Sequence, residues 1–309
     1  MKDLHHYVEK TRRRIDMRLK HTAPPELYDL TVGGKMLRGV LTCLVYDVLT
    51  GFRSDPLQKT KIFDMACTIE TVHALSLAAD DIIDQDDMRR GKPSLHVLKG
   101  FSTALLEIIS GLSFPYDIVA PYGSKYIHAV SQTQRDMCMG VLKEITKDLP
   151  ATRIYEIVID KKTGALFSLA ARFGAMTADA SEDDIEKMAK FGLHIGRAYQ
   201  IADDIEDFIN VVSQKKTPDA ITGTEFILLR GLKVDEILKE WGSDISNGKP
   251  EIRKISQVKQ IFQLYELLDT LNRRLDVERQ RAIDSISDFG ERRLLEKYLN
   301  VCIPELQRR

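Results

Sequence analysis

The sequence predicts an all-α protein, a large single-domain bundle of about ten helices. Apolar residues recur at steps of three and four, as in Ile62, Phe63, Met65, Ala66, Ile69, Val72 and Ala79, which is the pattern of a buried helical face. Helix starts are legible too. Asp55-Pro56 offers an N-cap followed by proline at the first helical position, and Ser181-Glu182-Asp183-Asp184 resembles a capping box. Strand-like alternation is scarce, and prolines at 93, 115, 121, 150, 218 and 250 mark where helices end or kink. No linker-like run of Gly, Ser or Pro divides the 309 residues, so one domain covering 1–309 is expected.

Taken in chain order, Met1 to Lys20 mixes Lys and Arg with Asp and Glu and has no apolar core. It reads as neither a signal peptide nor an acid-poor transit peptide. Next, Gly33-Gly34-Lys35-Met36-Leu37-Arg38 runs two glycines into an apolar helical segment with basic residues at its start. Cations there oppose the helix macrodipole, which suggests that an anion sits among them. The long apolar helix after Pro56 then closes on Asp80-Asp81-Ile82-Ile83-Asp84, and a second pentad of the same form, Asp203-Asp204-Ile205-Glu206-Asp207, closes another far downstream.

A helix brings i and i+4 onto one face, so Asp80 with Asp84, and Asp203 with Asp207, form carboxylate pairs. Like charges so placed repel unless a cation lies between them. Hard oxygen ligands without thiolate partners suit magnesium, which takes one or two carboxylates and completes its shell with water and substrate phosphates. A lone acidic pentad would read as a solvated helix face; two copies ending apolar helices are harder to read that way. His73 lies within about 20° of Asp80 and Asp84 around the helix, at about 100° per residue. Arg89-Arg90-Gly91-Lys92-Pro93 follows the first pentad, and its guanidiniums could grip a diphosphate from the side opposite the metal or simply pair with Asp86 and Asp87.

These segments resemble the trans-isoprenyl diphosphate synthases, which make farnesyl, geranylgeranyl and longer prenyl diphosphates. Gly33 to Gly39 looks like that family's GGKRxRP, Glu70-Thr71-Val72-His73 leads into its first aspartate-rich motif, and Asp80 to Pro93 looks like DDxxD followed by RRGxP. Lys162-Thr163-Gly164 resembles its mid-chain KTG, and Tyr199-Gln200-Ile201-Ala202-Asp203 to Asp207 its second aspartate-rich motif.

The resemblance implies an isoprenoid synthase-like bundle around a central cavity. It also implies magnesium-dependent condensation of isopentenyl diphosphate with an allylic diphosphate, and a homodimer. Lys35, Arg38, His73 and Arg90 would hold isopentenyl diphosphate. Asp80, Asp84 and Asp203 would ligate magnesium, with Asp81, Asp204 and Asp207 lining that metal site. Arg89, Lys162, Thr163 and Gln200 would complete the grip on the allylic diphosphate. Asp80, Asp84, Arg89, Lys162 and Asp203 would thus carry the catalysis. Product length would depend on Leu75 and Ser76, one turn before the first pentad, where Leu and Ser suggest farnesyl to geranylgeranyl or somewhat longer.

The sequence departs from the pattern in places. Met36 stands where Arg is usual and Gly39 where Pro is usual. The stretch from Gly100 to Tyr116 lacks the expected Gly-Asp pair and reads Glu107-Ile108-Ile109-Ser110-Gly111. Val211 to Pro218 lacks the glycine-rich flap whose lysine normally closes over diphosphate, and Lys215 or Lys216 is expected to reach the allylic diphosphate instead. Two other readings stand beside this one: the altered flap would also suit a non-catalytic or regulatory subunit of a heteromeric synthase, and a terpene cyclase would share the helical fold and one DDxxD. Against the cyclase stand Lys35, Arg38 and His73, since a cyclase binds no second diphosphate.

A formal charge of -1 argues against general nucleic-acid binding. Cys43, Cys67, Cys138 and Cys302 form no CxxC pair, and buried free thiols in a reducing cytoplasm are the simpler account. No run reaches the ~18 apolar residues of a membrane span, because Glu107 and Asp117 interrupt the best candidate. No integral membrane segment is expected. The stretch Val258 to Leu275 reads as a packing helix.

Overall fold

The computed structural model describes residues 2–53, 55–146, 148–212 and 262–303. Among these the chain is almost wholly helical, with thirteen α-helices that range from five to 31 residues. In order they are α1 (Lys2–Thr22), α2 (Pro25–Thr31), α3 (Leu37–Leu49), α4 (Pro56–Asp84), α5 (Leu95–Lys99), α6 (Phe101–Gly111) and α7 (Phe114–Val119). Then come α8 (Ser124–Thr146), α9 (Ala151–Val158), α10 (Ala165–Thr177), α11 (Glu182–Val212), α12 (Phe262–Ser285) and α13 (Arg293–Cys302). The number exceeds the expected ten because Gly100, at φ 81°, and Pro115 break one apolar stretch into α5, α6 and α7.

The expected helix starts are present. The Asp55 side chain accepts from the backbone N–H groups of Leu57 and Gln58 at 2.7 and 2.9 Å, which satisfies two orphan donors of α4. Ser181 Oγ accepts from the N–H of Asp184 at 3.2 Å and donates to its carboxylate at 2.8 Å. Two very short strands, Met88–Arg89 and Lys92–Pro93, pair as a hairpin. The turn between them needs positive φ at both central positions, and Arg90 at 52° and Gly91 at 74° supply it.

The core centres on α10, where Leu166, Phe167, Leu169, Ala170, Ala171, Phe173 and Gly174 to Thr177 are all buried. A helix apolar on every side must be wrapped by others, and α3, α4, α8 and α11 pack around it. α12 lies along α11, and α13 is tied to the start of α3 by the Tyr298 hydroxyl, which donates to the Leu37 carbonyl at 2.6 Å. Two helical stretches, Pro56–Asp84 and Phe101–Tyr122, are by length and composition apolar enough to cross a membrane. The first is the core helix α4. The second is broken at Pro115 and leaves Phe101, Leu106 and Ile109 exposed. Of the four thiols, Cys43, Cys67 and Cys302 are buried as expected, whereas Cys138 is exposed; all four are free.

Candidate active site

The first acidic pentad ends α4, with Gln85 in the left-handed conformation as its cap. The last turn of a helix carries partial negative charge, so three aspartates there are electrostatically unfavourable by themselves. Adjacent residues on a helix point about 100° apart, and the two central acids accordingly divide. Asp81 turns inward, is buried, and accepts from Arg89 Nε at 2.7 Å. Asp80 turns toward α8 and the KTG segment, where Lys162 Nζ lies 3.8 Å away. The same ammonium donates to Glu144 of α8 at 2.9 Å. Burial, together with Asp84 and Glu144, holds the Asp80 carboxyl up at about 6 despite the pull of Lys162. Asp84 is raised for the same first cause, burial, with Glu144 and Asp86 adding to it. Burial would depress Lys162, but Asp80 and Glu144 more than offset it, so the lysine stays charged.

Residues Ile159–Gly164, which carry Lys162 and Thr163, form a π-helical turn between α9 and α10. Such wide turns are rare and often mark functional sites. Two glycines let neighbours approach it closely. A Cβ on Gly140 would lie 2.8 Å from the Lys162 nitrogen, and one on Gly196 would lie 2.7 Å from the Gly164 Cα. Across that contact the Thr163 hydroxyl donates to Gln200 Oε1 at 2.7 Å, and Gln200 Nε2 donates to Asp204 at 2.9 Å. Asp204 is buried and also accepts from the Tyr155 hydroxyl at 2.8 Å, while Asp203 beside it is exposed. An unbroken path therefore runs from Asp80 through Lys162, Thr163 and Gln200 to the second acidic stretch.

The basic end of the site is assembled by α3, α4 and the hairpin. Arg38 is buried, with its guanidinium carbon 4.3 Å from the centroid of the Phe167 ring and 5.9 Å from that of Tyr199. Its Nη1 lies 3.1 Å from His73 Nε2. Burial first, then Arg38, Arg90 and Arg89, pushes His73 well below the ordinary imidazole range, so the ring is neutral and Nε2 accepts. Arg38 Nε is buried with no protein acceptor. Arg90 Nη1 donates to the Val32 carbonyl at 3.2 Å, which seats the hairpin on the Gly33-Gly34-Lys35 turn. The lysine there is exposed.

Gly39, where a proline is usual in the resembling family, has a local explanation. Its N–H donates to Glu70 Oε1 at 2.6 Å, and a proline would have no hydrogen to give. Glu70, raised by burial, is thereby partnered.

The polyprenyl synthetase family profile matches residues 23–224. The chain belongs to that family. A geranylfarnesyl diphosphate synthase of Methanosarcina mazei is 32% identical over 212 residues, 67% of this chain and 69% of its own length. A short chain isoprenyl diphosphate synthase of Methanocaldococcus jannaschii is 30% identical over 267 residues, 82% of this chain and 73% of its own. Among solved structures, a geranylgeranyl pyrophosphate synthase from Lactobacillus brevis superposes with a TM-score of 0.80 at 20% identity, with 96% of each chain covered. That likeness establishes the shared fold.

In this polyprenyl synthetase, Asp80, Lys162, Thr163 and Gln200 are brought together, as are Arg38, His73 and Arg90. Two expected metal-lining groups are instead occupied by protein donors: Asp81 by Arg89, and Asp204 by Gln200 and Tyr155. Arg89 is likewise held by Asp81 and, at 3.6 Å, by Asp86. The side chain of Asp207 and the whole of Lys215, Lys216 and the altered flap lie outside the described residues. Glu144 and Phe167 were not singled out from sequence. An acidic residue in a charged amphipathic helix and an aromatic in an apolar run carry no local mark of a site.

Proposed function

We propose that the protein condenses isopentenyl diphosphate head to tail with an allylic prenyl diphosphate, giving a short-chain trans-prenyl diphosphate and free diphosphate. It is a prenyltransferase of the polyprenyl synthetase family, and relatives named for geranylfarnesyl and short-chain isoprenyl diphosphate synthesis support the substrate class. The observation that carries this reading is the path of contacts from Asp80 through Lys162, Thr163 and Gln200 to Asp204, because it joins both acidic stretches to one lysine-bearing turn.

Magnesium fits the donors present. Asp80, Asp84 and Asp203 offer hard oxygens, and a cation would relieve the repulsion that raises Asp80 and Asp84. Among the described residues no three His, Cys, Asp or Glu groups could hold an ion alone, so substrate oxygens would complete the shell. Bound magnesium would act as a Lewis acid that stabilises the charge on the departing diphosphate. The chain supplies the rest. Lys162 and Thr163 orient the allylic diphosphate beside Asp80. Asp81 and Asp204 act from behind, the one fixing Arg89 and the other fixing Gln200. Arg38, its Nε unpartnered and its guanidinium over the Phe167 ring, points a charged donor at the isopentenyl diphosphate. Neutral His73 holds that guanidinium in place, and Lys35 and Arg90 close the same end. The carbon cation left when the allylic C–O bond breaks is attacked by the isopentenyl double bond in a site that must exclude water, and the new cation then loses a proton to the released diphosphate, which re-forms a double bond in the longer product. Lys162 beside Asp80, and Arg38 beside His73 with Arg90 nearby, offer cations for two diphosphates, which favours two diphosphate substrates over a cyclase's one.

Leu75 is buried and lies against α6, since a Cβ on Gly111 would sit 2.7 Å from its Cδ2. It is the wall the growing chain meets. Incubation of labelled isopentenyl diphosphate with dimethylallyl, geranyl or farnesyl diphosphate, with product sizing, tests the assignment. Magnesium-dependent products longer by whole isoprene units are expected, and Leu75→Ala should shift them to greater length. No condensation with any primer would refute the function; an unchanged distribution in the variant would refute the wall.

The protein acts as a homodimer on this reading. Leu105, Leu106 and Ile109 on α6, and Met139, Leu142 and Ile145 on α8, leave apolar rows exposed that a second copy would cover. Four free thiols without a disulfide support a cytoplasmic setting.

A further inference from the structure

Four consecutive residues of the π-turn are each gripped by a different partner. Lys161 donates to Asp136 at 2.5 Å, Lys162 to Glu144, Thr163 to Gln200, and Asp160 accepts from Arg197 Nε at 2.5 Å and Nη2 at 2.8 Å. The Arg197 grip differs from the others in its reach. Its Nη1 lies 3.6 Å from Glu278 of α12, and Glu278 is also paired with His194 Nδ1 at 2.7 Å and Arg281 at 2.7 Å. Arg197, itself on α11, thus ties the π-turn to α12. It borders a cleft of about 480 Å³ that Arg274 and Glu156 also line. No residue of that network belongs to the substrate grip described above.

We propose that Arg197 is a positioning residue for prenyl transfer: its two-pronged hold on Asp160 sets the register of the π-turn and thereby aims Lys162 and Thr163 at the allylic diphosphate. The physical reason is the turn itself. A π-turn carries one residue more per turn than its neighbours and is weakly favoured by its own backbone bonds, so side-chain anchors decide where its residues point. A planar, bidentate guanidinium on a carboxylate fixes direction as well as distance. Asp160 lies only two residues before Lys162, and small misplacements of a positioning group are expensive in rate. The inference rests on the reading that Lys162 holds the allylic substrate.

The test is a set of steady-state kinetics on the full chain with magnesium, using Arg197→Ala, Asp160→Asn, Lys162→Ala and the Arg197→Ala/Lys162→Ala double variant. Truncation at Arg197 opens onto the solvated cleft, and Asp160→Asn is nearly isosteric, so a folded variant is at hand for comparison by thermal melting. Each of the first two should lower kcat/KM for the allylic diphosphate about tenfold or more, with KM for isopentenyl diphosphate left as in the parent. The double variant should be no worse than Lys162→Ala alone, because both act through one side chain. Equal losses for the two substrates, fully additive losses in the double variant, or parental allylic kinetics in both Arg197→Ala and Asp160→Asn would overturn the proposal. Parental kinetics in Lys162→Ala would remove the lysine from the site and overturn the underlying assignment as well.

Discussion

Asp80→Asn is expected to lower prenyl transfer by about 10²–10³-fold while the fold survives. The substitution keeps the shape of the side chain and removes one negative charge from the place where Lys162, Glu144 and the end of α4 converge. That charge is what a divalent ion would be held by. It is also costly to the metal-free protein, because the folded carboxyl is raised to about 6 from an ordinary 3.8, chiefly by burial. A carboxyl whose folded value lies above its unfolded one destabilises the fold fully above the folded value, and the cost fades as pH falls toward the unfolded one. At neutral pH and without divalent ions, Asp80→Asn should therefore melt higher than the parent, by an amount on the order of 1–3 kcal/mol. Turnover and melting temperature would move in opposite directions. Retained turnover, or loss of both together, would mark Asp80 as a packing residue.

The second large effect concerns stability. A Cβ on Gly192 would stand 2.2 Å from the Phe167 carbonyl oxygen, 2.8 Å from its carbon and 2.9 Å from the Ala171 Cβ. These are backbone and rigid atoms at the centre of the α10–α11 contact, so neither helix can yield locally. Gly192→Ala should cost about 3 kcal/mol, or roughly 5 °C of melting temperature in a chain of this size. Activity should fall as well, because α10 carries Phe167 beneath Arg38 and α11 carries Gln200 against Thr163. A variant that melts within about 1 °C of the parent would contradict the close packing of these helices.

Much of this arrangement is legible in the sequence. The Asp55 and Ser181 caps, the apolar face of α4 and the acidic pentads follow from local chemistry, and local chemistry is what a sequence records directly. For Asp80 and Asp84 the i, i+4 spacing agrees with the structure, where both feel Lys162 and Glu144. What spacing cannot state is which way the face points. Asp81 and Asp204 follow Asp80 and Asp203 in the chain, so each lies about 100° round its helix, and in both cases the structure turns the second acid inward to a protein donor. Glu144, Phe167 and the Arg197 network escaped because their meaning depends on contacts between distant segments. Gly39 is intermediate. As a departure from the family pattern it was visible, but its explanation needed Glu70, brought beside it by the packing of α3 on α4.

The central claim is that two acidic stretches on α4 and α11 trap divalent ions against one diphosphate. A crystal grown with manganese and inorganic diphosphate tests it most directly through anomalous scattering. Peaks bridging the diphosphate to Asp80 and Asp84 on one side and to Asp203 on the other are the predicted result. Manganese bound elsewhere, with those three carboxylates uncoordinated, would contradict the account.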